Sequence, residues 1–349
     1  MTPNSKTAAP AQSDFAWQAA VARYTRPSLR ASLGQVATSL VPYLALGYLM
    51  YRSLAVSYGL TLALAVLAGG FLMRIFIIFH DCGHGSFFEA QKWNHVIGSI
   101  CGVLVFTPYF EWRHAHAIHH ATAGDLDRRG VGDVLTLTVE EYRRMPWWKR
   151  LGYRLYRNPL IMFLLGPMFM FLIAHRFPAR NSKRRERYSV YWTNLAILAY
   201  TLLLIGLIGF DKYLLVMLPI MVVSGAAGVW MFYVQHQFEG TYWAEHGEWD
   251  YVAAALQGSS YYRLPKLLQW FTGNIGLHHI HHLSPRIPNY NLQACHDANP
   301  PFQQVTTITL PQSFRAIFFK LWDEQQRRLV GFRQARQARR ISQAQPEIS

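Results

Sequence analysis

Eight of the fifteen histidines in this chain form three short clusters whose spacing suits metal binding. The first is a His-x-x-x-His pair and the other two share the pattern His-x-x-His-His; the members are His80, His84, His116, His119, His120, His278, His281 and His282. On a helix, residues three or four positions apart lie on one face, so each cluster would present its rings together. Imidazole is the commonest metal ligand and is neutral near pH 7. The clusters therefore predict a metal centre.

The number of ligands indicates two metals. Eight converging imidazoles exceed the capacity of a single ion, and His236 adds a possible ninth ligand directly after an apolar segment. An all-imidazole site suits iron, zinc or copper. Catalytic zinc usually takes three protein ligands and a water, whereas two ions with open positions suit a substrate such as dioxygen. We therefore favour iron over zinc and copper.

Other polar residues near the clusters are expected to support the ligands rather than to bind metal. Asp81 lies inside the first cluster, and His114 and His279 adjoin the others out of register, so these three could hold ligand rings by hydrogen bonds. Ordinary solvated positions, caps or salt bridges are the alternative interpretation. The same two interpretations apply to Asp125, Asp127, Asp133 and Glu239.

Composition indicates a membrane protein. Hydrophobic residues make up 51% of the chain and charged residues only 15%, below the usual quarter for a soluble domain. The net charge of +15 comes from basic residues that flank the apolar runs, which favours contact with anionic lipid headgroups over nucleic acid. The three cysteines form no C-x-x-C pair, which argues against a disulfide framework, a zinc finger or a cysteine-held iron–sulfur cluster.

Four apolar runs are long enough to cross a bilayer, which takes roughly 20 residues. They cover residues 33–54, 60–79, 190–209 and 213–234. Two shorter runs, 96–110 and 160–174, suit re-entrant or interfacial segments instead. If neither short run spans, every histidine cluster lies on the same side of the membrane as the basic loop 176–187. The positive-inside rule makes that side the cytoplasm.

The expected fold is an all-α integral membrane protein with four transmembrane helices and a cytoplasmic helical cap that holds the metals. Residues 1–30 are expected to form a cytoplasmic tail, with residues 1–13 disordered and no secretory signal sequence. The membrane domain would cover 31–311, with the cap formed by 111–159 and 236–311. Residues 312–349 would be a basic amphipathic segment, either interfacial or packed on the cap, followed by a solvated tail.

The sequence around the clusters resembles the three histidine boxes of the membrane fatty acid desaturases. The matching segments are Phe79–Phe88, Trp112–Ala121 and Gly276–Tyr290. The resemblance extends from about Leu33 to Pro311, and the segments His119–Asp133 and Val234–Glu239 look most like the delta-12 (omega-6) acyl-lipid branch. It implies a four-span fold and a di-iron centre, held by the eight clustered histidines and by His236, which fits the place of the family's further ligand after the last span.

The resemblance also implies the reaction, which is the dioxygen-dependent removal of two hydrogens from an acyl chain carried by a lipid or an acyl carrier. Each turnover needs two electrons, and the chain has no G-x-G-x-x-G fingerprint or cysteine iron–sulfur set of its own. An external donor of the ferredoxin or cytochrome b5 type is therefore expected. A membrane hydroxylase or related oxygenase that uses the same boxes is the main alternative. A metal transporter or sensor is less favoured, because the histidines follow the spans instead of lying within them.

Overall fold

The computed structural model describes residues 16–335, so the predicted disordered segment 1–13 and most of the predicted C-terminal tail lie outside the described residues. The helices are α1 (Trp17–Ala22), α2 (Leu29–Ser53), α3 (Tyr58–His84), α4 (Gln91–Leu104), α5 (Tyr109–Thr122), α6 (Val139–Arg144), α7 (Trp147–Tyr156), α8 (Gly166–Leu172), α9 (Arg184–Ile208), α10 (Phe210–His236), α11 (Tyr251–Leu256), α12 (Lys266–Phe271), α13 (His278–Leu283), α14 (Asn289–Ala298) and α15 (Leu310–Ser313). The strands are β1 (Leu137–Thr138), β2 (Tyr261–Arg263), β3 (Thr307–Thr309), β4 (Leu321–Asp323) and β5 (Arg328–Val330).

Four of these helices, α2, α3, α9 and α10, are long and apolar enough to cross a membrane. Each has 25 or 27 residues, more than the roughly 20 that a bilayer requires. The predicted helical membrane fold with four spans is confirmed. Each helix begins before its predicted span, and α3 and α10 also end later, because the hydrogen-bonded backbone continues into polar residues at the membrane surface.

The two shorter apolar runs do not form continuous long helices. Residues 96–110 fall in α4, in a break at 105–108 and in the start of α5, and α4 and α5 have 14 residues each. Residues 160–174 form a π-helix (Ile161–Leu165) followed by α8, which is bent by 61° relative to α7. This bent pair would be a fifth span only if both arms crossed together, so its interfacial position remains a prediction.

Helix α3 is the central element of the membrane bundle. In its most apolar stretch 56% of residues are buried, against 22% in α2 and 11% in α9, whose apolar side chains face outward. Helix α3 packs against α10 at Gly69, where an added Cβ would lie 2.6 Å from the Cγ1 atom of Val223. A residue with no side chain permits this close approach of the two helices.

Helices α3 and α10 both end in a histidine of the predicted site. Helix α3 stops at His84 because Gly85 takes a left-handed conformation (φ 70°) and its N–H bonds back to the carbonyls of Asp81 and Cys82. Helix α10 ends at His236. The packing of these two helices therefore fixes the position of His84 relative to His236.

The cap covers this end of the bundle and includes the C-terminal segment. In its core, Leu292 of α14 belongs to the same hydrophobic cluster as Ile280 and Leu283 of α13 and as Leu277, which directly precedes α13. Strand β1 pairs in parallel with β4, which pairs antiparallel with β5, and β2 pairs in parallel with β3. The predicted amphipathic stretch after residue 312 is a short 3-10 helix, Phe314–Phe318, that leads into the β4–β5 hairpin on the cap.

Candidate metal centre

The nine histidines proposed as ligands converge into two groups. In each group one nitrogen of every ring lies within 4.8 Å of the others. The five-histidine group contains His80, His84, His116, His120 and His281. The four-histidine group contains His119, His236, His278 and His282. Sequence spacing thus found every member, although it did not predict how they divide.

The division follows the turn of the helix. On α5, His116 and His120 are four residues apart and join the five-histidine group, while His119 joins the other. Helix α13 shows the reverse, because its pair four residues apart, His278 and His282, joins the four-histidine group. Side chains four positions apart share a face more closely than those three apart. Each His-x-x-His-His motif therefore supplies two ligands to one group and one to the other.

The ring nitrogens approach one another without ordinary partners. The Nε2 atoms of His116 and His120 are 3.2 Å apart, and those of His120 and His281 are 3.1 Å apart. In the other group, Nε2 of His236 lies 3.2 Å from that of His119 and 3.0 Å from that of His278.

Further ring nitrogens in the centre are unpartnered. Within the described residues, six are buried without a hydrogen-bond partner: Nε2 of His84 and His282, and Nδ1 of His119, His120, His278 and His281. Buried polar atoms normally have partners. Because every donor in both groups is an imidazole nitrogen, the two groups fit two metal ions.

Burial favours the neutral form of the clustered rings on α5 and α13. Seven of the nine histidines are less than 9% exposed, with only His84 and His236 somewhat more accessible. Desolvation lowers the pKa of each clustered histidine on α5 and α13 well below its usual value, and the neighbouring rings lower it further. A neutral imidazole keeps the lone pair that a metal requires.

A buried carboxylate supports the five-histidine group. The Oδ1 atom of Asp81, which is 1% exposed, lies 3.0 Å from Nδ1 of His80. Its Oδ2 atom accepts hydrogen bonds from the backbone N–H (2.7 Å) and the side-chain amide (2.8 Å) of Asn289. Asn289 was not predicted, because it lies 208 positions away in sequence. It lies within the segment Gly276–Tyr290 that resembles the third histidine box, which was the only available signal.

The four-histidine group is supported by neutral groups and by a buried arginine. Nδ1 of His236 lies 3.3 Å from the carbonyl oxygen of Gly258. The next residue, Gln237, accepts a hydrogen bond from Arg157 at 3.0 Å and donates one to Thr136 at 3.1 Å. Arg157 is 1% exposed and also donates to Tyr233 and to the carbonyls of residues 135 and 319. Sequence reasoning missed this network, which ties the end of α10 to the C-terminal segment.

Three further supporting candidates, His114, His279 and Asp125, have other surroundings or partners. His114 is exposed, because it is two residues from His116 and so points away from the site. His279 is buried, and its ring lies 6.0 Å from that of His296 in α14. Its Nε2 lies 2.9 Å from the carbonyl oxygen of Phe302, in the 3-10 turn after α14. Burial, followed by the proximity of His296, lowers the pKa of His279 to about 3. Asp125 takes an ordinary structural role as the partner of Arg128 and His246.

A small cavity borders the four-histidine group. Its volume is about 20 Å³, and its lining includes His119 and His236 together with Phe232, Tyr233 and Trp243. A cavity of roughly 10–15 Å³ on this scale admits one water-sized molecule. The cavity can therefore hold one small molecule beside His119 and His236, next to the aromatic side chains that line it.

The part of the chain that contains the histidine boxes matches a known family. The family model described as "Fatty acid desaturase" matches residues 57–310, which include all nine clustered histidines. A protein of Bacillus subtilis named "Fatty acid desaturase" is 51% identical over 313 residues, which cover 90% of this chain and 89% of the relative.

More distant relatives carry more specific names. The "sn-1 oleoyl-lipid 12-desaturase" of Synechocystis is 28% identical and covers 77% of this chain and 74% of its own length. The "sn-1 acyl-lipid omega-3 desaturase (ferredoxin)" of the same organism is 27% identical, with 68% and 66% covered. The predicted family and enzyme class are confirmed: this chain is a membrane oxidoreductase and belongs to the fatty acid desaturase family.

Proposed function

We propose that the nine histidines hold two iron ions and that the protein inserts a cis double bond into an acyl chain with dioxygen as the oxidant. The observation that supports this proposal best is the pair of buried all-histidine groups, of five and four members. The balanced reaction converts CH2–CH2 to CH=CH, while dioxygen, two electrons and two protons become two molecules of water. The ions would activate dioxygen to break the unactivated C–H bonds of the chain, which no amino-acid side chain can do.

The protein's own residues have three tasks in this reaction. The Asp81 carboxylate orients His80 through its Nδ1 atom, which leaves Nε2 for the metal. The carbonyl of Gly258 orients His236 in the same way. Phe232, Tyr233 and Trp243 line the small cavity beside the four-histidine group and limit its contents to about one water-sized molecule.

Expression in a bacterial host, followed by gas chromatography–mass spectrometry of fatty-acid methyl esters, tests the reaction. The unchanged protein should give a new unsaturated species and His119→Ala should give none. His114→Ala is a matched control, because it removes an exposed ring from the same helix and should keep activity. A hydroxylated product would replace the proposal with the oxygenase alternative, and purified protein without bound iron would overturn the di-iron assignment.

The finer substrate assignment is a 12-position double bond in a lipid-bound chain. It is supported by the sequence of residues 119–133 and 234–239 and by the relative whose name specifies a 12-desaturase. Dimethyl disulfide derivatisation of the product locates the double bond by mass spectrometry. A fragment pattern for any other position contradicts this assignment and leaves the desaturase reaction intact.

The electrons are proposed to come from a separate ferredoxin, with cytochrome b5 as the alternative. Two relatives carry ferredoxin in their names and another carries cytochrome b5. Purified protein supplied with reduced ferredoxin should turn over, and omission of ferredoxin should stop product formation. Activity with cytochrome b5 alone would reverse this choice.

The active site is proposed to face the cytoplasm, together with the basic loop 176–187. Single cysteines can test this orientation, because the native cysteines are all buried. In intact spheroplasts a membrane-impermeant maleimide should label Val56→Cys, in the turn between α2 and α3, and not Arg180→Cys. The reverse labelling pattern would place the site on the outer face.

A further inference from the structure

Arg74 is a buried cation in a membrane-spanning helix without an acidic partner. It lies in α3, ten residues before the end of the helix, and is 8% exposed. Its Nη1 donates to the carbonyl of Trp270, and its guanidinium carbon lies 3.9 Å from the centre of that indole ring. Its Nε is buried and unpartnered. Within residues 16–335 no carboxylate forms an ion pair with it. An ionisable residue in such a position is a functional candidate.

Arg74 lines a polar cleft between the bundle and the cap. The cleft has a volume of about 350 Å³, and a second cation, Lys266, lies on its wall. Five amide side chains also line it, among them Gln35, Gln269 and Asn289, and no carboxylate belongs to the lining. Two cations with amide donors and no negative charge form a site for an anionic group rich in oxygen, such as a phosphate.

The position of the cleft favours a lipid over a soluble anion. Helix α12, which begins at Lys266, exposes the apolar side chains of Leu267 (67%) and Trp270 (41%), as an interfacial helix does. Gln35 is six residues into α2, about 9 Å along the helix axis at 1.5 Å per residue. The cleft thus lies near the cap end of two spans, on the side where we expect phosphate headgroups to meet the protein.

The cleft also adjoins the metal site. Asn289 lines it and binds Asp81, which holds His80. Arg74 precedes His80 by six residues on the same helix, which places their Cα atoms about 9 Å apart along its axis. A lipid whose headgroup is held here would have its acyl chains close to the histidine groups.

We infer that this cleft binds the phosphate of a phospholipid and thereby makes an acyl-phospholipid the substrate of the desaturase. The inference rests on the proposed function, since it assigns the carrier of the acyl chain. Arg74 would contact the phosphate from the bundle and Lys266 from the cap, while the amides donate to its remaining oxygens.

Purified full-length protein can be assayed with its electron donor in two kinds of nanodisc. One kind contains phosphatidylglycerol and the other an uncharged diacyl glycolipid, and both lipids carry the same acyl chains. Arg74→Gln and Lys266→Gln should each raise the KM for phosphatidylglycerol about tenfold, the loss expected for a charge-assisted hydrogen bond. Their kcat, and their KM for the uncharged lipid, should change little. Arg52→Gln is the matched control, because it removes an exposed arginine at the far end of α2.

The possible failures are distinguishable. If the unchanged protein forms no unsaturated product from either lipid, the proposed function itself fails. If it desaturates both lipids and neither variant alters its preference, the function stands and the headgroup site is overturned. Lys266 is exposed, so Lys266→Gln tests the site even if Arg74→Gln does not fold. Binding of inorganic phosphate to the purified protein that leaves the KM for phosphatidylglycerol unchanged would assign the cleft to a soluble anion instead of a lipid.

Discussion

The two histidine groups use the same ligand type and differ in what holds the ligands. In the five-histidine group a buried carboxylate, Asp81, contacts His80 and is itself held by two donors from Asn289. In the four-histidine group, His236 faces a neutral carbonyl and the charge behind it is a cation, Arg157, bonded to Gln237. A carboxylate raises the basicity of a ligand imidazole and a neutral carbonyl does so less. Two metals in these groups would therefore be chemically unequal.

Removal of a ligand gives the largest expected effect and tests whether the groups act separately. His281→Ala should remove one ligand from the five-histidine group, and His278→Ala one from the four-histidine group. Each should abolish desaturation and lower the iron content of the purified protein from two ions toward one. Mass-spectrometric metal analysis and fatty-acid analysis measure both effects. Two retained ions in both variants would contradict the assignment of these ligands.

Loss of the buried arginine should be the next largest effect. Arg157→Met removes the buried donor to Gln237, to Tyr233 and to the carbonyls of residues 135 and 319, of which the last still accepts from Tyr233. We expect a loss of about 3 kcal/mol in the free energy of unfolding, because buried acceptors are left without a donor. Thermal unfolding followed by size-exclusion chromatography in detergent measures the shift. An unchanged melting temperature would show that this network does not stabilise the end of α10.

Neutralisation of the carboxylate should weaken only the five-histidine group. Asp81→Asn keeps the size of the side chain and removes its charge, and loss of such a partner lowers metal affinity or activity about 10–100-fold. The measurement is iron retention during titration with a chelator. Asp125→Asn is the matched control, since Asp125 is equally buried and pairs with Arg128 and His246. Equal iron loss in both variants would argue against a specific role for Asp81.

The smallest effect should come from Asn289→Ala. This change removes one of the two donors to Asp81 and keeps the backbone N–H. The loss of one hydrogen bond to a charged group, at about 1.5 kcal/mol, should weaken iron retention roughly tenfold at most. The chelator titration measures this effect as well. A larger loss of iron than for Asp81→Asn would contradict the proposal that Asn289 acts only through Asp81.

The sequence predicted those features that depend on local periodicity. Apolar runs of about 20 residues predicted the four spans, and the spacing of three or four residues predicted which histidines converge. It could not predict that His119 joins the four-histidine group and His281 the five-histidine group, because that depends on how α5 and α13 cross. The contact between Asp81 and Asn289 and the pairing of β1 with β4 also join distant parts of the chain, and strands of two or three residues leave no periodic pattern.

The length of α3 has a consequence for the substrate. Its 27 residues measure about 40 Å at 1.5 Å per residue, and the hydrocarbon layer is roughly 30 Å thick. The apolar run of α3 ends at residue 79, just before His80 and His84. If that run spans the hydrocarbon layer, both histidines lie beyond it, and an acyl chain must be drawn partly out of the bilayer to reach them. Each methylene exposed to water on the way would cost about 0.8 kcal/mol. The extraction of a chain from its neighbours thus becomes part of the reaction barrier, so turnover should respond to how tightly the surrounding lipids are packed.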